Sequence, residues 1–332
     1  MNLSTILLGL AGIIYGAGPI MFAVIGETIS ERAGVINLSM NGTILLSAMG
    51  GFAVAVGTGS VILGFLAGAL IGGLVALVVA FSSITLKQSQ VAVGFVLALL
   101  CRDLSYFLGH AYIGKGGPRL NILPIPWLSK IPILGTIFFR QDVFTYFSII
   151  IIFLAWFWIF RTRPGLMLRG IGERPAAAYA RGANVNRLRY FYTILGGAIA
   201  GLAGPAFSLN VKAGWAGPLS GLDGYGWIAL SITIFGGWNP FRAALGVYLF
   251  AFLQWLGLVL QPFLPSIPTQ VLQVAPFPLM ILTLLLVNIS DAEWVARMLA
   301  AMPERTRRWM VKLLRALRAS PPASLGVPFE SE

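Results

Sequence analysis

The feature that most constrains this chain is a series of long apolar runs, several reaching the roughly 20 residues that a helix needs to cross a membrane. Hydrophobic residues make up 58% of the chain and charged residues only 10%, whereas a soluble domain carries about 25% charge. The sequence therefore predicts an all-α integral membrane protein with about 8–10 transmembrane helices, some of them interrupted half-spans. The runs lie at approximately 5–26, 34–56, 61–81, 90–109, 142–160, 190–209, 224–235, 241–261 and 270–289.

The polar interval at 161–189 is rich in arginine. It contains seven arginines and one acidic residue, Glu173, for a net charge of +6. Arginine at this density beside spans marks the cytoplasmic side of a membrane. Pro164 and Gly165 end the preceding helix, and Pro175 takes the first-turn position of a short helix that its alanines favour. We therefore predict a short helix outside the bilayer, to which a soluble partner binds.

A cytoplasmic location for 161–189 determines the orientation of the whole chain. It predicts an outside N-terminus and a cytoplasmic C-terminus. Most of the net charge of +12 lies at 161–189 and 297–318, where the positive-inside rule predicts it, so no nucleic-acid partner is expected. The loop 110–141 falls outside although it carries four basic residues, which departs from that rule.

Two runs differ from ordinary spans because polar groups stand at their openings. The first opens with Asn37, Ser39 and Asn41, and the second, 224–235, is too short to cross a membrane and follows Asp223. Polar backbone at membrane depth is tolerated only inside protein or beside a water-filled cavity. Paired interrupted segments point to a transport path between structural repeats. We expect a pseudo-repeat of two halves with the path near these openings.

Glycines recur at every fourth residue in two spans, at Gly64, Gly68 and Gly72 and at Gly197 and Gly201. Small residues at this spacing let helices approach closely in lipid. We therefore expect these spans to pack tightly.

The residues that enzymes and metal sites need are scarce. The chain has one histidine, His110, and one cysteine, Cys101, too few for a histidine or thiolate metal site. The stretch 109–116 matches a phosphate-binding loop except at Gly116, where a serine or threonine must hold magnesium. We predict a transport protein that is not an enzyme, needs no cofactor and does not bind ATP itself.

Ionisable residues inside the predicted spans are few. Arg102 and Asp103 are adjacent. The usual hypothesis for charge at this depth is a functional role, but we favour a local structural pairing at the outer interface. Asp223 is the one candidate for an acid that loads a coupling ion, and its glycine-flanked position suits an outer vestibule better. The energy source is therefore expected on another chain.

The chain divides into a predicted permease domain, 1–290, and a basic cytoplasmic tail, 291–332. From Pro303 onward, apolar residues such as Leu314 and Leu317 fall near one side of a helix and basic residues fill much of the rest. A basic amphipathic helix of this kind lies among the lipid headgroups of the inner leaflet. Docking to a protein partner fits the pattern about equally well.

Three stretches and the chain ending are similar in sequence to the members of one family. They read SERAGVINLSMNGTILLSAMGGF, GERPAAAYARGANVNRLRY, GLDGYGWIALSITIFGGWNPFRAALG and PPASLGVPFE. The first three resemble the permease subunits of bacterial ATP-binding cassette (ABC) importers in the branched-chain amino acid, ribose and nucleoside superfamily. The ending is similar to that of one branch, the second permease of nucleoside and simple-sugar importers. The resemblance covers about residues 25–290 and that ending.

This resemblance implies a short cytoplasmic helix, about Arg174 to Ala183, that sits in a groove of an ATPase and transmits its closure. It assigns the ATPase coupling to Gly172, Glu173, Arg174, Pro175, Ala177, Ala178, Arg181 and Gly182. It also implies three kinds of partner: ABC ATPase subunits, a second and often paralogous permease, and an extracytoplasmic substrate-binding lipoprotein. Met40 and Asn41 replace the usual leucine and glutamate of the nucleoside branch, so no carboxylate role is carried over to position 41.

These observations predict half of a translocation pore for a nucleoside or simple sugar. The candidate path residues are Asn37, Ser39, Asn41, Gln90, Asp223 and Trp227, followed by Ser47, Gln88 and Asn210. Amides and hydroxyls suit sugar hydroxyls and an aromatic face suits a ring, although helix capping or packing is an equally good role for each. Two alternatives stay open: a branched-chain amino acid permease of the same superfamily, and a self-contained ion-coupled carrier that depends on Asp223.

Overall fold

A computed structural model of the chain describes residues 3–212, 214–263, 278, 297–298, 303–304, 307 and 320–330. These residues form α-helices joined by turns, by 3₁₀ or π segments and, between α4 and α5, by a longer connection that is non-helical at 113–127. The helices are α1 Leu3–Arg32, α2 Met40–Thr58, α3 Val61–Ala80, α4 Gln90–Gly109, α5 Leu134–Phe138, α6 Val143–Arg161, α7 Arg163–Glu173, α8 Pro175–Ala180, α9 Val185–Gly201, α10 Ala203–Ala206, α11 Tyr225–Phe235 and α12 Pro240–Leu260.

Within the described residues, seven helical segments are long and apolar enough to span a membrane, and α11 is a shorter apolar helix. The predicted all-α membrane architecture is therefore confirmed. The ninth predicted run, 270–289, lies almost wholly outside the described residues, as does the amphipathic helix predicted from Pro303.

Helix α1 is the centre of the bundle. It packs against α6, α9, α11 and α12, and its residues 21–25 are fully buried. The interval 27–33, which separates the first two predicted apolar runs, is helical for most of its length, because α1 continues to Arg32 and buries Glu27 and Glu31. Their polarity excluded them from the runs, but polar groups can be buried where neighbouring elements supply hydrogen bonds.

The expected close glycine packing is found between α3 and α9. A Cβ atom added at Gly72 would come within 2.7 Å of the Gly201 Cα, and one added at Gly68 would come within 2.8 Å of the Gly201 oxygen. Only a residue without a side chain allows two helix backbones to approach this closely. The prediction of tight packing is therefore confirmed.

Both predicted interruptions are present. Residues 33–39 are non-helical, α2 begins at Met40, and α11 has eleven residues. At the rise of an α-helix α11 is about 16 Å long, or half of the ~30 Å hydrocarbon layer. The two openings meet, because a Cβ atom added at Gly226 would fall on the backbone of Asn41. The duplication of two halves stays a prediction.

Contacts between distant segments gather at one end of the bundle. Arg32 at the end of α1 pairs with α7, Lys87 after α3 pairs with the C-terminal segment 320–330, and that segment also bonds to Gly172. We call this region the coupling end. The opposite end contains the C-terminus of α4, where Gly109 lies against Trp215.

Candidate functional site

The arginine-rich segment folds as two short helices. Helix α6 ends at Arg161, and the Thr162 side-chain oxygen accepts a hydrogen bond from the Gly165 N–H at 3.2 Å, which caps α7. Pro164 lies in the first turn of α7, where a missing N–H costs nothing. Pro164 and Gly165 therefore follow the end of one helix as predicted, but they also begin another that the sequence analysis missed.

The second helix, α8, is shorter than the coupling helix expected at Arg174–Ala183. It runs from Pro175 to Ala180, and Gly182 in the following turn has a φ of 85°. This left-handed conformation is readily adopted by glycine and ends an α-helix. The expected helix is therefore present but stops before Ala183.

The residues assigned to ATPase coupling divide between two faces. Gly172 and Ala178 are buried, and a Cβ atom added at Gly172 would collide with the Arg32 carbonyl oxygen. Pro175 is half-buried. The exposed members, which we call the docking face, are Glu173, Arg174, Ala177, Arg181 and Gly182. Gly172 and Ala178 thus pack within this chain, whereas the docking face is open to a partner.

Arg32 connects the docking face to the membrane-spanning part. Its guanidinium lies 3.9 Å from the Glu173 carboxylate and donates to the carbonyl oxygens of Trp238 at 3.1 Å and Gly237 at 3.4 Å. The Trp238 indole N–H donates to the Glu31 carboxylate. Because the guanidinium is a rigid fork with several donors, one side chain holds α1, α7 and the turn after α11 together.

At the other end of α11, Asn41 bonds to both a side chain and the backbone. Its amide nitrogen donates to Asp223 Oδ1 at 2.7 Å, and its oxygen accepts from the N–H groups of Gly224 at 2.8 Å and Gly226 at 3.3 Å. A side-chain amide both donates and accepts, so Asn41 satisfies free donors at the start of α11 and the carboxylate together. The glutamate usual in the nucleoside branch would instead place a second carboxylate beside Asp223.

Aromatic and polar side chains of α4 and α11 surround this pair. The Trp227 ring lies 6.2 Å from the Phe95 ring. Arg102 and Tyr106 lie close enough to Asp223 to interact with it electrostatically. We call these residues, Phe95, Arg102, Tyr106, Asp223 and Trp227, the path patch. They offer hydrogen-bond donors, an acceptor and two ring faces in one region.

The expected pairing of Arg102 with Asp103 is present, with 2.9 Å between Nε and Oδ1. Their side chains are 33% and 66% exposed although they belong to a membrane-length helix. Charged side chains within a span face protein or water in preference to lipid. Their exposure leaves this side of α4 accessible to water or to another protein surface.

The other predicted path residues hold the interruption between α1 and α2. The Asn37 N–H donates to Glu27 Oε1 at 3.2 Å, the Asn37 side-chain oxygen accepts from the Ser39 hydroxyl at 2.5 Å, and Gln90 Oε1 accepts from the Ile36 N–H at 2.8 Å. Asn37, Ser39 and Gln90 are buried. They satisfy irregular backbone, as buried peptide groups require. The further candidates bond to local or neighbouring groups: Ser47 to Ile44, Gln88 to Leu86 and Asn210 to Tyr15.

The sequence analysis missed three buried charged residues at the coupling end. Glu27 and Glu31 lie one turn apart on α1, and Arg189 lies in the first turns of α9. The four-residue spacing of the glutamates places them on one helix face, a signal that was available directly after the first apolar run. No local signal marked Arg189, because its partners Ser324 and Val327 are more than 130 positions away.

Membrane-length helices, an interrupted span with a polar opening, and an exposed arginine-rich helix pair together define a membrane transport permease. Residues 9–287 match the family described as branched-chain amino acid transport system / permease component. The chain belongs to this family, and the resemblance expected from its motifs is confirmed.

Curated relatives cover most of the chain. It is 37% identical to a Haloferax volcanii protein named as a glucose ABC transporter permease, and the match covers 74% of this chain and 75% of that one. It is 32% identical to the nucleoside ABC transporter permease protein NupC of Lactococcus lactis, covering 85% of this chain and 93% of that one. The guanosine ABC transporter permease protein NupQ of Bacillus subtilis is 31% identical, with 82% and 89% covered. No solved structure matches the chain.

The family and these relatives establish the general role of the protein. It is a multi-pass plasma-membrane permease component of an ABC transport system. Such a component is a transport subunit and not an enzyme, and it works with ATPase and substrate-binding partners.

Proposed function

We propose that this chain forms half of the translocation pore of an importer for a nucleoside or simple sugar, driven by ATP hydrolysis on separate subunits. One observation carries the proposal. Arg32 ties the docking face to one end of α11, and Asn41 ties the other end to Asp223 in the path patch. A movement of the docking face is therefore transmitted to the path along one helix of about 16 Å.

The chemistry of the path patch supports an uncharged, hydroxyl-rich solute. Asp223 accepts hydrogen bonds, Arg102 and Tyr106 donate them, and Trp227 and Phe95 offer ring faces. Sugar hydroxyls and nucleobase rings match these groups. The relatives named for glucose, nucleoside and guanosine transport support the same solute class. Tight binding in the path would trap the solute, so affinity belongs to an extracytoplasmic substrate-binding lipoprotein.

A second, paralogous permease supplies the other half of the pore in this proposal. Helix α4 exposes Phe95, Arg102 and Asp103 on the side that carries the path patch. Hydrocarbon does not solvate an exposed ion pair, whereas a facing permease with a water-filled path between the two chains does. The two permeases then bind two ATPase subunits at their docking faces.

The proposed orientation puts the coupling end in the cytoplasm. The net charge of +6 at 161–189 supports this side, because arginine collects on the cytoplasmic side of spans. Residues 320–330 bond to α7, which supports a cytoplasmic C-terminus for the tail domain 291–332. Since α1 ends at Arg32 in the coupling end, the N-terminus of the permease domain 1–290 lies outside. The basic part of the tail is expected to contact membrane lipids.

Recovery of an ATPase with the tagged chain tests the proposal. The full chain is purified from its native membranes in mild detergent, and the co-purifying ATPase is quantified. Arg174→Glu and Ala177→Glu add negative charge to exposed positions of the docking face, so both variants are expected to fold and to lose the ATPase. Leu219→Glu, at a 90% exposed position of the opposite end, is the matched control and keeps it. Well-folded wild-type protein that never recovers an ATPase would contradict the proposal.

A further inference from the structure

The C-terminal segment 320–330 folds back onto the coupling end through defined hydrogen bonds. The Ser324 N–H and hydroxyl donate to the Gly172 carbonyl at 2.9 and 2.6 Å. The Ala323 N–H donates to the Glu173 carboxylate at 3.2 Å. Two residues that the family resemblance assigns to ATPase coupling are therefore bonded to this segment. The segment belongs to the same structural unit as the docking face.

A buried arginine fixes the segment from the membrane side. Arg189 is 1% exposed, and its guanidinium donates to the Val327 carbonyl at 2.8 Å and the Ser324 hydroxyl at 3.0 Å. The Gly326 N–H also donates to the Gly34 carbonyl at 3.1 Å. Burial of a charged group costs much free energy unless hydrogen bonds compensate for it. Arg189 therefore depends on the segment being in place.

The fixed segment places an aromatic ring beside α8. The Phe329 ring centroid lies 5.7 Å from that of Tyr179, and Tyr179 is 49% exposed. Both side chains line a groove of roughly 670 Å³, together with the turn between α8 and α9. Aromatic anchors of this kind dominate the energetics of protein interfaces. The groove adjoins the docking face through Gly182, which belongs to both.

Positive charge lies beside the groove. Arg181 and Arg187, both exposed, are sequence neighbours of groove residues. A complementary partner therefore combines apolar groups with acidic side chains.

We propose that residues 320–330 complete the ATPase-docking surface, with Phe329 and Tyr179 as its apolar anchor and the ATPase subunit as the occupant of the groove. This inference rests on the proposed function, because it extends the docking face assigned there. The shared groove makes the two surfaces continuous. A protein segment with an apolar side chain next to acidic ones matches both the aromatic pair and the neighbouring Arg181 and Arg187.

Photo-crosslinking in membranes that hold the complete transporter tests this assignment. The photoreactive analogue p-benzoylphenylalanine is placed at position 329 of the full chain and, in separate samples, at positions 177 and 219. We expect mass spectrometry to identify ATPase adducts from positions 329 and 177 and none from 219. An ATPase adduct from 177 with none from 329 would overturn the inference and leave the proposed function standing. The absence of an ATPase adduct from both positions would contradict both proposals. Lipid adducts alone from position 329 would show that this position faces the membrane, which also overturns the inference.

The variant Phe329→Ala separates docking from folding. The hydrogen bonds that hold the segment use Ser324 and backbone groups, so truncation of the ring leaves them in place. We expect the midpoint of thermal unfolding to match that of the control Leu219→Ala, while the affinity for the co-purified ATPase falls roughly tenfold. Unchanged affinity would contradict the inference. Loss of affinity together with a lowered unfolding midpoint would also overturn it, because Phe329 would then act only in packing.

Discussion

The two ends of α11 are held in different ways. At the coupling end, a largely buried arginine, Arg32, bonds to two backbone carbonyls, and Trp238 bonds to the buried Glu31. At the path end, a single amide, Asn41, bonds to the exposed Asp223 and to two backbone N–H groups. The first arrangement has several buried contacts that reinforce one another, whereas the second depends on one buried side chain, Asn41, whose partner Asp223 a solute or water can reach.

From this difference we infer that the two ends of α11 serve different functions. Charge-assisted contacts in a buried site are strong and costly to break. They therefore suit the coupling end of α11, which must move together with the docking face. A pair that includes an exposed carboxylate exchanges partners more easily, which suits the end that meets the solute. In the proposed mechanism, the fixed end transmits movement and the adjustable end responds to it.

The largest effect is expected from Arg32→Ala, which breaks the fixed end. The change removes the contacts to Glu173 and to the turn after α11. It leaves the carbonyl of the buried Trp238 and that of the half-buried Gly237 without this donor, at a cost of about 3 kcal/mol. We expect uptake of labelled nucleoside or sugar by cells to fall about 100-fold, while the ATPase still co-purifies. The control is Arg163→Ala, an exposed arginine of α7. Equal uptake by both variants would contradict a transmitting role for Arg32.

A charge exchange at the adjustable end is expected to have a smaller and reversible effect. Asn41→Asp places two carboxylates together, and we expect uptake to fall about tenfold, from roughly 1.4 kcal/mol of lost interaction. In the double variant Asn41→Asp with Asp223→Asn, the new amide donates to the new carboxylate, which still accepts from Gly224. Uptake is therefore expected to recover. A double variant as inactive as Asn41→Asp would show that Asp223 itself, and not the pair, is required.

A weaker effect is expected from Arg102→Gln in the path patch. The side chain is 33% exposed, so the thermal unfolding midpoint of the detergent-solubilised protein is expected to stay unchanged. The loss of a charged donor beside the path is expected to lower uptake about fivefold, or roughly 1 kcal/mol. Lys130→Gln, in the exposed loop at the opposite end, is the matched control. A lowered unfolding midpoint with normal uptake would assign Arg102 to structure alone.

The smallest effect is expected from the surface ion pair between Lys87 and Glu330, which holds one end of the segment 320–330. The hydrogen bond from Lys87 and its positive charge hold the pKa of Glu330 below its ordinary value. A lowered pKa in the folded state stabilises the fold above the ordinary carboxyl pKa, and this contribution disappears as the pH falls through the lowered value. Glu330→Gln is therefore expected to shift the unfolding midpoint by about 1 °C or less at pH 7. The difference should vanish once the pH falls below the lowered pKa of Glu330, or in about 1 M salt, and one that persists there would exclude the ion pair as its cause.

The sequence predicted features that depend on local pattern. Apolar run lengths indicated the spans, polar openings indicated the interruptions near Asn41 and Asp223, and Pro175 marked the start of α8. The partners of buried polar groups could not be predicted, because they lie far apart in the chain. Glu27 fell outside the predicted apolar runs because hydropathy measures polarity, whereas its burial depends on the folded neighbours that surround it.

Uptake into proteoliposomes is the most direct test of an ATP-driven importer coupled through α8. The transporter, purified with its co-purifying subunits and supplied with its binding protein, is reconstituted, and accumulation of labelled nucleoside, glucose and leucine is followed with ATP in the lumen or without it. We predict accumulation of a nucleoside or sugar that requires ATP on the side of residues 161–189 and is lost in Ala177→Glu. Accumulation without ATP, driven by a proton or sodium gradient and abolished by Asp223→Asn, would contradict this mechanism and show an ion-coupled carrier.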